Sequence, residues 1–112
     1  MLYDGLIRFA QQAIEALEAK RLEEAHRRLI RCQEIVSELR VTLDRDRAPE
    51  LCDNLNDLYV FFHGRFIEAN RNKSPEPVQE VLPLIQELRE AFAQAERMAV
   101  MERADEVSGT VR

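Results

Sequence analysis

Little interrupts this chain. Three glycines and four prolines in 112 residues leave long stretches without a breaker. Two cysteines, Cys32 and Cys52, are too few for a disulfide framework. They are also expected to lie too far apart to pair. In a hairpin turning near Arg45–Arg47, Cys32 sits about eight residues farther from the turn than Cys52, roughly 12 Å along the axis. Both read as free, buried thiols. No window approaches 18 uncharged apolar residues, so no membrane span is expected. The N-terminus lacks a signal-peptide core, because Asp4 and Arg8 break it, and the expected compartment is the cytoplasm. A basic excess is missing too. The net charge is −5 and the pI about 5.1, which argues against a generic nucleic-acid or anionic-membrane binder. Arg27, Arg28 and Arg31 alternate with Glu23, Glu24 and Glu34, the pattern of a solvated, salt-bridged helix face.

The sequence is equally short of chemistry. It has no glycine-rich phosphate loop. Ser37, Ser74 and Ser108 have no histidine pattern that suggests a nucleophile. Glu23-x-x-His26 has the spacing of two metal ligands on one helical face, but a di-iron bundle needs a second such motif. The residue three before His63 is Val60, so that second motif is absent. No catalytic residue, metal or cofactor is assigned, and the chain does not read as an enzyme.

What remains is helical periodicity. Hydrophobic residues make up 46% of the chain and charged residues 33%, enough for one domain with one core. Helix 1 covers residues 2–18, with Leu2, Leu6, Phe9, Ala13 and Leu17 on one stripe and Tyr3, Ile7, Ala10 and Ile14 beside it. Gly5 within it costs about 1 kcal/mol against alanine. A turn is expected at Ala19–Arg21. Helix 2 then runs to about Leu43 on the stripe Leu22, Ala25, Leu29, Cys32, Val36, Leu39 and Leu43. A break at 44–48 leads to helix 3, with Pro49 in its first turn, where a missing N–H costs nothing. Asn72–Ser74 ends it, and Ser74-Pro75-Glu76-Pro77 starts helix 4. Pro83 should remove one backbone bond from helix 4. The pattern fades after Glu102, so the expected domain is 1–102, followed by a frayed tail over 103–112. Short loops imply an all-α, antiparallel up-down-up-down four-helix bundle. Its first helix is shortened, at about 17 residues against about 23 for the others, so one end should lack part of a wall.

Helix 3 poses a puzzle. Leu51, Leu55, Leu58, Phe62, Phe66 and Ala69 recur at steps of three and four and read as the core seam. Yet Leu58-Tyr59-Val60-Phe61-Phe62 is apolar at five consecutive positions, and a helix points such a run all the way round. Either helix 3 is central, or its second side accepts a partner. Ile30 and Val41 on helix 2 also fall off their core stripe and share a side. Burying each such side chain is worth roughly 1.5–3 kcal/mol, enough in combination to dock an amphipathic helix.

Three stretches resemble the flagellar secretion chaperone (FliS) family. Met1-Leu2-Tyr3-Asp4-Gly5 is similar to its helix 1 signature. Asn54-Leu55, Leu58-Tyr59, Arg65-Phe66 and Ala69-Asn70 follow its helix 3 pattern, and Leu88-Arg89-Glu90-Ala91-Phe92 resembles its helix 4 ending, with Phe92 where the family often has tryptophan. The likeness covers about residues 1–95. Ala48-Pro49, Phe61-Phe62 and Gly64 depart from the family pattern. So does the start, which lacks the family's N-terminal segment and the first turns of its helix 1.

The resemblance implies a non-enzymatic export chaperone that binds the C-terminal helical segment of flagellin and prevents premature polymerisation. The expected client-binding residues are Tyr3, Ile7, Ile30, Val41, Tyr59, Val60, Phe61 and Ile67. Without the N-terminal segment the groove should be more exposed, favouring self-association. The alternative is a structural bundle whose apolar stripe is a homodimer or domain-swap interface.

Overall fold

The computed structural model describes residues 2–110, and side-chain surroundings over residues 2–105. Four helices account for nearly all of it: α1 (Leu2–Glu18), α2 (Leu22–Val41), α3 (Pro49–Asn72) and α4 (Glu76–Thr110). Each packs against its neighbours in sequence, and α1 also packs against α4, which closes a ring. This is the antiparallel four-helix bundle that the periodicity implies.

Local chemistry sets the helix ends. Lys20 and Lys73, with φ of 62° and 52°, take the left-handed conformation that terminates a helix. The Arg21 N–H then reaches Ala16 O at 2.8 Å, and the Ser74 N–H reaches Ala69 O at 3.1 Å. Helix α2 stops at Val41, two residues before the expected end. There the Thr42 hydroxyl donates to Leu39 O at 2.8 Å and turns the chain. Pro49 opens α3, with Ala48 before it. Helix α4 passes through Pro83 without interruption.

Diagonal complementarity fills the core. Helix α1 contributes the small residues Ala10, Ala13 and Ala16, all fully buried, and α3 contributes Phe62 and Phe66. The hydroxyls of Tyr3 and Tyr59 hydrogen-bond across that diagonal. This pair places Leu6 level with Phe62 and Ala10 level with Phe66, so an alanine makes room for the second ring. Tyr3 also stacks on Phe92 of α4, with ring centroids 5.5 Å apart.

The seam of α3 differs from the expected one. The buried residues are Cys52, Leu55, Tyr59, Phe62, Phe66 and Ala69, a strict alternation of three and four. Leu51 is instead 53% exposed and Leu58 half-buried. On α2, Ile35 is buried although it lies off the predicted stripe, and Leu22 is exposed. Turning α3 by one position brings in the tyrosine, whose hydroxyl has a buried partner 56 residues away.

Helix α4 overruns the bundle. It has 35 residues against 17, 20 and 24 in the others, and residues 94–105 are exposed throughout. The backbone is helical to Thr110 rather than ending near Glu102. Alanine, glutamate, arginine and methionine dominate residues 95–104, all strong helix formers, and no glycine or proline stops them. Of the expected tail, residues 111 and 112 lie outside the described residues. Among the described residues, α3 also runs past the start of α1. Pro49 lies ten residues before Tyr59, whereas Leu2 lies one before Tyr3, so α3 extends roughly 13 Å past the start of α1.

Candidate functional site: an apolar groove between α3 and α4

The expected client-binding residues do not form one surface. Tyr3 and Tyr59 are core, at 6% and 2% exposure. Burial raises the pKa of both phenols above the ordinary value. Their position corrects the expectation that they face a partner. Ile7 is half-buried on the side of α1 where Tyr3 and Asp4 meet Phe92 and Arg89 of α4. Val41 is 84% exposed at the last position of α2.

Ile30, Val60 and Ile67 do share a face. The Asn70 amide donates to His26 Nδ1 at 2.9 Å, and Arg40 Nε donates to Asn56 Oδ1 at 3.0 Å. These two pairs fix the α2/α3 register. Ile30 falls level with Ile67, Gln33 with His63, and Ser37 with Val60. The face is therefore apolar at isolated points and polar between them. His26 is held by Asn70, and Glu23 pairs with Arg27 at 3.8 Å, so the Glu-x-x-His spacing does not converge on a common point. Arg28 and Arg31 form ion pairs with Glu24 and Glu34 and also lie over the Phe9 ring.

The continuous apolar surface lies on the other side of α3. Helix α4 carries Leu84, Leu88, Ala91, Ala95 and Met98, again alternating four and three. This second heptad stripe sits beside its core stripe of Val78, Val81 and Ile85. Opposite it stand Leu51 and Leu58, left over when Cys52 and Tyr59 took the core, with Phe61 beside them. Leu51, Leu55, Leu88, Ala91, Phe92 and Ala95 line a cleft of about 220 Å³ where α3 runs past the start of α1. Arg65 reaches across to Glu80 at 2.8 Å and ties the two helices together farther along. Level with that register, Leu58 faces Leu88 and Phe61 faces Leu84. Two open stripes thus face the same channel. From Leu84 to Met98 it spans 14 residues of α4, roughly 21 Å.

The geometry suits the docking of an apolar helix. No group of three or more potential metal ligands occurs among the described residues. Cys32 lies outside the groove, and burial pushes its thiol up to about 12, so it is inert at neutral pH. No helix among the described residues is long and apolar enough to cross a membrane.

Comparison with known proteins gives this geometry its context. The profile of the family described as "Flagellar protein FliS" matches residues 1–99. The chain belongs to the FliS family. The flagellar secretion chaperone FliS of Bacillus subtilis is 32% identical over 95 residues, covering 85% of this chain and 70% of that protein. The flagellar secretion chaperone FliSB of Pseudomonas aeruginosa is 32% identical over 92 residues, covering 82% and 72%. The FliS of Vibrio cholerae is 27% identical over 94 residues, covering 84% and 69%. All three relatives are named as chaperones, in keeping with a docking surface. The FliS match ends at residue 99, close to where α4 leaves the bundle.

Sequence pattern alone gives this groove little weight. The stripe Leu84–Met98 is regular, yet two of its five members are alanines, which count for little among apolar residues. On its partner stripe, Leu51 and Leu58 fall within the predicted core.

Proposed function

We propose that this chain is a cytoplasmic, non-enzymatic export chaperone that holds the C-terminal helical segment of flagellin in the α3/α4 groove. Held there, the segment is kept from polymerising before secretion. One observation carries the reading: two heptad-spaced apolar stripes, on a chain of the FliS family, face one channel with no helix of the bundle between them. A disordered segment that folds on binding needs such a channel, since burying its apolar face offsets the cost of ordering it. Phe61 belongs to the rim of this seat. Ile30, Val60 and Ile67 form a second, interrupted shoulder for whatever part of the client extends beyond it.

The test is isothermal titration of the purified chain with the C-terminal segment of the host's flagellin. An Ala91→Glu variant serves as the control, because Ala91 is exposed and the substitution leaves the core intact. Micromolar or tighter binding, weakened at least tenfold by Ala91→Glu at unchanged helicity, is the expected result. Binding that ignores Ala91→Glu moves the seat elsewhere, and no binding by the folded chain defeats the reading.

A further inference from the structure

The charges beside the groove are not balanced. Glu50 and Asp57 lie one heptad apart on the outer shoulder of α3, and Glu87 lies on the outer shoulder of α4, level with Asp57. All three are exposed. Of the nearby cations, Arg65 pairs with Glu80, Arg97 with Glu90 and Arg45 with Asp53, which leaves Arg47 beside Glu50 and no cation of the bundle paired with Asp57 or Glu87 among the described residues. No ion pair among the described residues involves Glu50, Asp57 or Glu87. The mouth of an apolar channel therefore carries uncompensated negative charge on both walls.

We infer that the α3/α4 groove selects an amphipathic helix whose apolar stripe is flanked by lysine or arginine, and rejects a second copy of this chain. The inference rests on the groove being the client seat. A docked helix is about 10 Å across, so its flanking side chains project over both shoulders. Cations there meet Asp57 on one side and Glu87 on the other, within the ~8 Å screening length of physiological salt. A second copy meets the opposite situation. A two-fold contact sets the same patch on both copies against itself, so the carboxylates of Glu50, Asp57 and Glu87 from two chains of net charge −5 would crowd one interface. The apolar stripes supply the affinity, and the acidic shoulders decide which helix gains it.

The experiment uses three synthetic 16-residue helices. All carry the same leucine heptad stripe, with lysine, glutamine or glutamate at the flanking positions. Each is titrated against the full chain at 50 and 500 mM NaCl. The lysine helix should bind about tenfold tighter than the glutamine helix at low salt, and the gap should close to about twofold at high salt. The triple variant Glu50→Gln/Asp57→Asn/Glu87→Gln should erase the preference while still binding the glutamine helix. It should also self-associate more strongly than the parent by sedimentation equilibrium. Equal binding of the lysine and glutamine helices at low salt overturns the charge selection and leaves the groove reading standing. Failure of all three to bind removes both. A parent chain that dimerises at micromolar concentration, with Ala91→Glu restoring the monomer, overturns the rejection of self.

Discussion

Replacing Tyr59 with phenylalanine removes one hydroxyl and strands another. The Tyr3 and Tyr59 hydroxyls are each other's partner, and both residues are buried. In the Tyr59→Phe variant the Tyr3 O–H keeps its place on the diagonal but loses its acceptor. Leaving such a group buried and unpaired costs about 1–3 kcal/mol. Tyr3→Phe does the same from the other side and keeps the stack on Phe92. The double variant removes both polar groups and leaves two rings of nearly the same shape, so its cost should return close to zero. The expected coupling is therefore at least about 1 kcal/mol, with the double variant more stable than the sum of the singles predicts. Against a total stability of about 5–15 kcal/mol this is easily measured. Urea titration followed by far-UV circular dichroism reads it directly. In thermal melts each single variant should lose about 4–8 °C per kcal/mol. Flagellin-segment affinity should not change in any of the three, because both hydroxyls lie inside the bundle. Strictly additive losses, or a loss of client binding at intact stability, would show that these tyrosines are not a buried pair.

Gly64 sits in the middle of α3, and a methyl group added there would meet nothing within 4 Å, so Gly64→Ala should stabilise by about 1 kcal/mol in the same titration. At Gly5 a methyl group would meet Ile35 Cδ1 at an ordinary 3.7 Å, so Gly5→Ala should also stabilise, by up to about 1 kcal/mol. Lys73 holds φ of 52°, so Lys73→Gly should raise the melting temperature through about 1 kcal/mol of relieved strain. The bundle should weaken in alkali. Cys32, Tyr3 and Tyr59 all have raised pKa values when folded, so above about pH 9 the unfolded chain loses protons that the folded one keeps. Stability present below pH 9 should fall by about 1.4 kcal/mol per pH unit for each group engaged, and Cys32→Ala should flatten the first part of that decline.

The helices and their order are legible in the sequence because their punctuation is local. Pro49 opens α3 and the Ala19–Arg21 break closes α1, as single-residue chemistry requires. The phase of α3 is not legible. Leu51/Leu58 and Cys52/Tyr59 offer two equally regular seams, and what chooses between them is a hydroxyl on α1. That choice also creates the site, since the rejected leucines become one wall of the groove. The other wall is spread over α4 in two leucines, two alanines and a methionine whose meaning depends on where α3 turns. Val60, Phe61 and Ile67 are surface residues, as their spacing implies, but residues on one helix show only which way they face. Whether they meet a cavity depends on the helix beside them.

The free run of α4 also affects how the chain travels. Its extents are 63 × 26 × 18 Å and its radius of gyration is 17.3 Å, against about 13 Å for a compact domain of this length. A rod tumbles and diffuses more slowly than a ball of equal mass. On a gel-filtration column a single 13.1 kDa chain will therefore emerge early, at the position of a larger globular standard. An elution volume suggesting a dimer is what the monomer itself should give, and only a shape-independent mass will tell the two apart.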